Sequence, residues 1–295
     1  MRFLQKFTLF IVGVSIALSC AQARIANPYP VAFLRQGDVY ILESSEKWKP
    51  LTQIGDAGSL CWFDSETICF SREVRTGLIL RTDWEGIQVL RDLFTVSKNG
   101  GGIRQWTVDH FTTEPAPASM PNRVVFAHKV PQDTLETEIW ETIRPRIRNR
   151  SLGIRGHLPD SSPDQRWTAA TLGPGFGGVG IYRYPTNDAY RKIEGNFGRP
   201  RFSPDARLLA YLSREKGKHG IWGYEVPDGE PRQLMAFPKG YDQILDFSWT
   251  KDGSGFILVL QDEKGLSDIY YYELDKKNLV RLTQFGDVKH ATAWH

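Results

Sequence analysis

The stretch "RFSPDARLLAYLS", residues 201–213, sets a run of apolar residues directly behind a Ser-Pro-Asp turn. Pro204 presets φ for the turn and Asp205 bonds the backbone just ahead, so the chain reverses here and the short apolar run reads as a strand. The same design returns as "FSWTKDGSGFILVL" at 247–260 and is already present as "SSPDQRWTAATL" at 161–172. The turn aspartates Asp164, Asp205 and Asp252 lie 41 and 47 residues apart. A second ruler is the aromatic that closes the strand before each turn, at Trp62, Trp106, Phe202, Trp249 and Trp294. The long gap between Trp106 and Phe202 predicts one copy without its aromatic, near Leu158. A repeat of about 45 residues is that of a four-stranded propeller blade.

One full unit supports this reading. "RPRF" from Arg199 is a first strand, "LLAYLS" a second, "HGIWGYEV" a third and "EPRQLMAF" a fourth, separated by Gly, Pro, Asp or Lys clusters. Five further second strands follow the pattern, at "VAFLR", "TICFSR", "RVVFAHKV", "RWTAATL" and "GFILVLQ". Matching third strands are expected at "DVYILES", "GLILRTDW", "TEIWETI", "VGIYRYP" and "SDIYYYEL", and "KPLTQIG" and "VRLTQFG" mark fourth strands. The N-terminal unit opens on a second strand, whereas the chain stops at a first strand, "KHATAWH". Joined, the two ends complete one blade and remove the exposed sheet edges of a linear array. The expectation is an all-β, six-bladed propeller of four-stranded antiparallel blades over residues 24–295, closed by the C-terminal strand.

Residues 1–23 read as a leader. Arg2 and Lys6 precede an apolar run from Phe7 to Leu18, and Ala21-Gln22-Ala23 is a signal-peptidase pattern. Ala17-Leu18-Ser19-Cys20 leaves a lipoprotein box as the alternative. Export places the mature chain in the periplasm or outside the cell. Loss of Arg2 and Lys6 takes the formal net charge from +3 to +1, which argues against nucleic acid as a partner. Cys61 and Cys69 lie in "CWFDSETIC", where a tight turn at Asp64-Ser65-Glu66 is expected to bring two short strands together, and both a disulfide and two buried thiols are compatible with that spacing.

"RFSPDARLLAYLS", "FSWTKDGSGFILVL" and "RLTQFGDVKHATAWH" resemble the WD40-like Ser-Pro-Asp-Gly propeller repeat of the TolB family. The match is good over 199–295, moderate over 31–71 and poor across 99–159. The resemblance implies a periplasmic propeller that binds a protein or peptide in the cell envelope. TolB-like proteins carry an α/β domain ahead of the propeller, and only residues 24–30 stand between the expected cleavage site and the first strand here. The resemblance is therefore to the propeller alone. Similar repeats occur in oligogalacturonate lyase, which implies a metal-assisted site built largely from histidines in the propeller mouth, and in prolyl oligopeptidase-type enzymes, whose chemistry lies in an added hydrolase domain.

Position before a first strand selects Ser59, Arg104, Arg199, Gln243 and His290 as partner-binding candidates at the channel mouth. His110, His157 and His290, near expected innermost strands, form the metal set of the lyase alternative. Arg144, Arg146, Arg148 and Arg150 alternate along "RPRIRNR", either as an anion-binding ridge or as a charge-guarded edge strand. Asn149-Arg150-Ser151 is formally a glycosylation acceptor. "GFGGVG" at 175–180 has nucleotide-loop spacing, but "IYRYP" behind it reads as a strand rather than a helix, so it is expected to be a hairpin. The aromatics Trp222, Trp249 and Tyr270 to Tyr272 are expected between blades, with sugar stacking as the alternative. The sequence thus predicts a monomeric binding platform outside the membrane with no cofactor, against a polysaccharide lyase or a non-catalytic sugar or small-ligand binder.

Overall fold

The computed structural model describes residues 30–44, 47–74, 90–117, 122–129, 137–143, 148–173, 177–215, 217 and 219–293. Blade 1 contains β1 (Val31–Arg35), β2 (Asp38–Ser44) and β3 (Lys47–Pro50). Blade 2 runs β4 (Ala57–Trp62), β5 (Thr67–Glu73), β6 (Arg91–Ser97) and β7 (Arg104–Gln105), and blade 3 runs β8 (Thr112–Pro117), β9 (Arg123–Lys129), β10 (Thr137–Ile143) and β11 (Arg148–Arg155). Blade 4 is β12 (His157–Ser161), β13 (Trp167–Thr171), β14 (Val179–Arg183) and β15 (Asp188–Ile193); blade 5 is β16 (Phe197–Phe202), β17 (Leu208–Ser213), β18 (Gly220–Glu225) and β19 (Arg232–Ala236). Blade 6 is β20 (Tyr241–Trp249), β21 (Gly255–Asp262), β22 (Ser267–Glu273) and β23 (Asn278–Arg281). The last strand, β24 (Val288–Ala293), pairs antiparallel with β1, placing Phe33 opposite Ala291. It supplies the innermost strand of blade 1, so the chain closes as a six-bladed propeller of antiparallel four-stranded sheets. Contacts run round the axis from β24 to β4, β8, β12, β16, β20 and back to β24.

The second strands are apolar on both faces because each blade is covered on both sides. In β21, Phe256, Leu258 and Leu260 join the cluster shared with blade 5, while Ile257 and Val259 face blade 1. Side chains two residues apart share a face, so an unbroken apolar run serves two interfaces at once. Every gap between neighbouring blades holds one such cluster. Tyr270 and Tyr272 fill the gap toward blade 5 and Tyr271 the gap toward blade 1.

The aromatic ruler has a physical basis. Trp249 Nε1 donates to the Arg201 carbonyl of the preceding innermost strand at 3.0 Å, and Trp62 Nε1 donates to that of Thr292 at 3.0 Å. A large ring that also carries a donor ties two innermost strands together. Trp106 does not belong to this series: it follows β7, packs against Phe63, and donates its backbone N–H to Leu93. The innermost strand of blade 3 is instead β8, and that of blade 4 lies at Leu158 as expected. The third strand of blade 2 is also corrected. It is β6, "RDLFTVS", whereas "GLILRTDW" lies outside the described residues, as do the leader, Trp294 and His295.

The Ser-Pro-Asp turns use one hydrogen-bond pattern. Ser203 Oγ donates to Asp205 at 2.6 Å and accepts the Leu208 N–H, while Asp205 accepts the Arg207 N–H. Ser162 and Asp164 repeat it in blade 4, Thr250 and Asp252 in blade 6. The residue after each Asp has positive φ: Gln165 at 61°, Ala206 at 61° and Gly253 at 70°.

Candidate channel-mouth site

The innermost strands are not regular. Register breaks between Thr113 and Ala116 in β8, between His157 and Asp160 in β12, and between Gly198 and Arg201 in β16. Each bulge opens on a positive-φ residue followed by proline: Glu114-Pro115, Leu158-Pro159 and Arg199-Pro200, with φ of 51°, 49° and 58°. Such backbone is costly outside glycine, and proline removes the next N–H from the ladder. A further break, between Ala57 and Leu60 in β4, frees Ser59.

The freed groups satisfy one another from blade to blade. Ser59 Oγ accepts the Glu114 N–H at 3.1 Å, and Glu114 Oε2 accepts the Leu158 N–H at 2.7 Å. On the other side of the axis, Arg199 Nη1 donates to Asp246 Oδ1 at 2.8 Å, and His290 Nδ1 lies 3.2 Å from Asp246 Oδ2. Ser59, Glu114, Leu158, Arg199, Asp246 and His290 come from six different innermost strands, one per blade. With Arg91 and Arg201 they line a single cavity of about 350 Å³.

The charges are set by these contacts. Burial alone would raise the Asp246 carboxyl, but Arg199, His290 and Arg201 outweigh it and hold the group well below the usual carboxylate range. Burial also works against the Glu114 charge, and there His157, the Leu158 N–H and Arg199 prevail, keeping it low. Asp160, just inside the bulge of β12, goes the other way. Burial pushes its carboxyl up to about 6 despite Arg201 and the N–H groups of Phe202 and Ser161.

Of the sequence-selected residues, Ser59, Arg199 and His290 line the cavity, and His157 Nδ1 stands 3.9 Å from Glu114 Oε1. Gln243 lines a separate hollow between blades 5 and 6. Arg104 is exposed on β7, the outermost strand of blade 2, because the Trp106 ruler misplaced it. His110 is held by Asp92 at 2.7 Å in the loop before β8 and does not line the cavity, so the three histidines do not converge there. Among the described residues no group of three or more His, Cys, Asp or Glu is placed to hold a metal ion.

Arg144 and Arg146 lie outside the described residues, while Arg148 and Arg150 belong to β11, the outermost strand of blade 3. Arg150 is 57% exposed and paired with Glu141. Asn149 of the sequon is half-buried and donates to Asp109 at 2.8 Å. Cys61 and Cys69 are directly opposite across β4 and β5 as buried free thiols, and burial, with Cys69 adjacent, pushes the Cys61 thiol well up. Glu114, Asp246, Arg201 and Arg91 were not singled out from the sequence. For Glu114 the available signal was the recurring residue-proline pair at 114, 158 and 199.

No family model matches the chain, and no curated protein matches it. Solved structures do share its fold. TolB from Acinetobacter baumannii aligns with a TM-score of 0.59 at 12% identity, covering 86% of this chain and 68% of that one. A chain of a nidogen/laminin complex aligns at 0.64 and 10% identity, covering 90% and 97%. Puromycin hydrolase aligns at 0.56 and 13% identity over 84% of this chain, which spans 42% of that enzyme. At these identities the likeness is one of fold, and function rests on the site.

Proposed function

We propose that the protein is an exported, periplasmic propeller that holds a polypeptide partner over the axial mouth. The observation that carries this reading is the ring itself: all six innermost strands deliver a residue to one cavity, and its buried charges are already paired across blades. Paired, preorganised charges orient an incoming chain and reject mismatched ones. TolB and the nidogen/laminin complex, whose propellers share this architecture, support a protein-binding scaffold, as does the repeat resemblance. Among the described residues no helix is long and apolar enough to cross a membrane.

The test is affinity capture from envelope extracts with the wild-type protein, Arg199→Glu and His290→Ala. The reading expects one polypeptide held by the wild type and lost from both variants while both remain folded, with a melting temperature lowered by the loss of an Asp246 partner. Equal capture by all three would remove the mouth from consideration.

A second reading, a polysaccharide-active enzyme, draws on the carboxyls at this mouth. Glu114 and Asp246 line the cavity from different blades, and both carboxyls are held below the ordinary range, which suits a general base. Turnover of oligogalacturonate with a stoichiometric divalent ion, abolished by Asp246→Asn, is what this alternative requires.

A further inference from the structure

A second hollow, of about 240 Å³, lies between blades 5 and 6. The direction of the chain puts it on the face of the axial mouth. Its walls are the end of β17, the start of β18 and the start of β20, and the mouth residues Ser59, Arg199 and His290 also sit near the starts of their innermost strands. Leu212, Phe237 and Ile244 give it an apolar floor, and Arg214, His219 and Gln243 stand at its rim.

The polar rim groups are engaged within the chain. His219 Nε2 meets the Arg214 carbonyl at 3.0 Å, and Gln243 Nε2 donates to Gln261 at 2.6 Å. An occupant here gains mainly by burying apolar surface, and a cavity of about 150 Å³ already accepts a benzene ring. The hollow lies beside the mouth. Ile244 and Asp246 are two residues apart on β20, and burial together with the Arg199 charge holds the Arg214 guanidinium below its usual range.

Paired charges at the mouth give orientation, whereas affinity at protein surfaces concentrates in a few apolar side chains seated in pockets. We infer that this hollow is an anchor pocket: it receives one aromatic or branched aliphatic side chain of the polypeptide held over the mouth. The inference rests on the binding reading above and adds the chemistry of the partner's anchor residue.

The probe is N-acetyl-tryptophanamide, titrated into the full-length protein with labelled methyl groups, with N-acetyl-lysinamide as the control. Leu212 and Ile244 methyl signals are expected to move saturably with the tryptophan amide, at about millimolar affinity, and not with the lysine amide. Gln243→Trp, which fills the rim with a residue suited to a strand, is expected to weaken binding at least about tenfold. Phe237→Ala, which removes part of the floor, is expected to weaken it independently. No saturable shift at Leu212 and Ile244, or equal binding by the lysine amide or the filled variant, overturns the inference. Because the titration reads this hollow without any partner at the mouth, its failure is distinct from failed capture by the Arg199 and His290 surface.

Discussion

Blades 6 and 3 are built on the same four-stranded plan but are held by different means. In blade 6, Thr250 and Asp252 lock the first turn, and Asp268 locks the last. Asp268 accepts from Thr283 Oγ1 at 2.8 Å and from the Phe285 N–H at 2.6 Å, while Thr283 Oγ1 accepts the Ile269 N–H. The Asp–Thr lock recurs as Asp38 with Thr52 in blade 1 and Asp92 with Thr107 in blade 2. Blade 3 is tied by a buried ion pair instead. Arg123 and Glu141, each 1% exposed, meet at 2.6 Å between β9 and β10, with Arg150 adding a second donor to Glu141 at 2.8 Å. Repeated locks stabilise backbone close to the residues that form them; a buried ion pair stabilises the fold only while both partners remain.

The sharpest way to break this comparison is to remove one partner. Glu141→Leu leaves the Arg123 guanidinium buried without its anion, which costs about 3–5 kcal/mol. The urea midpoint reads the loss. Arg123→Met combined with Glu141→Leu is expected to recover most of it, since two apolar side chains leave no buried charge behind. A single substitution costing under about 1 kcal/mol would mean that blade 3 is held elsewhere.

Asp160 is another unrepeated buried charge, accepting the Phe202 N–H at 2.6 Å. Its carboxyl is raised to about 6 in the fold, against about 3.9 in an unfolded chain. The protonated form is therefore favoured by folding. The contribution is complete below pH about 4 and lost as pH rises through about 6, amounting to at most about 3 kcal/mol. Asp160→Asn is expected to flatten the fall in stability between pH 4 and 7. Asp246 has the opposite sign: its lowered carboxyl stabilises above the ordinary range and loses that contribution as pH falls. If the variant keeps the wild-type slope, Asp160 is not the group responsible.

The same contrast explains what could be read beforehand. The Ser-Pro-Asp turn, the doubly covered second strands and the donor-bearing Trp249 recur because the blade recurs, so the fold and its closure at β24 were visible in periodicity. Blade 3 hid itself: Glu141 lies 18 residues from Arg123, and nothing local marks the two as partners. Trp106 imitated the ruler while serving a fourth-strand position, and it carried Arg104 to the wrong end of the sheet. At the mouth, Ser59, Arg199 and His290 were found by position. Asp246 was not, because its role depends on strands 44 and 47 residues away converging on the axis.

A smaller effect is expected from the locks. Thr283→Val keeps the shape but removes the hydroxyl that both donates to Asp268 and accepts the Ile269 N–H, and it should cost about 1–2 kcal/mol. Thr107→Val in blade 2 should cost a similar amount, since Thr107 bonds Asp92 and the Leu93 N–H in the same way. Matching losses would confirm one device used twice; a loss confined to one blade would separate them.

The smallest effect tests the turns. Gly253, Ala206 and Gln165 occupy one turn position with φ between 61° and 70°, where a Cβ is disfavoured by about 1 kcal/mol or more. A Cβ at Gly253 would meet only Pro204 Cδ, at 3.9 Å, so strain rather than collision decides the outcome. Gly253→Ala is expected to lose about 0.5–1 kcal/mol and Ala206→Gly to gain a similar amount, less the added freedom of glycine in the unfolded chain. Thermal midpoints of the two variants should therefore move in opposite directions. Movement in the same direction would show that the turns of blades 5 and 6, alike in hydrogen bonding, are not alike in strain.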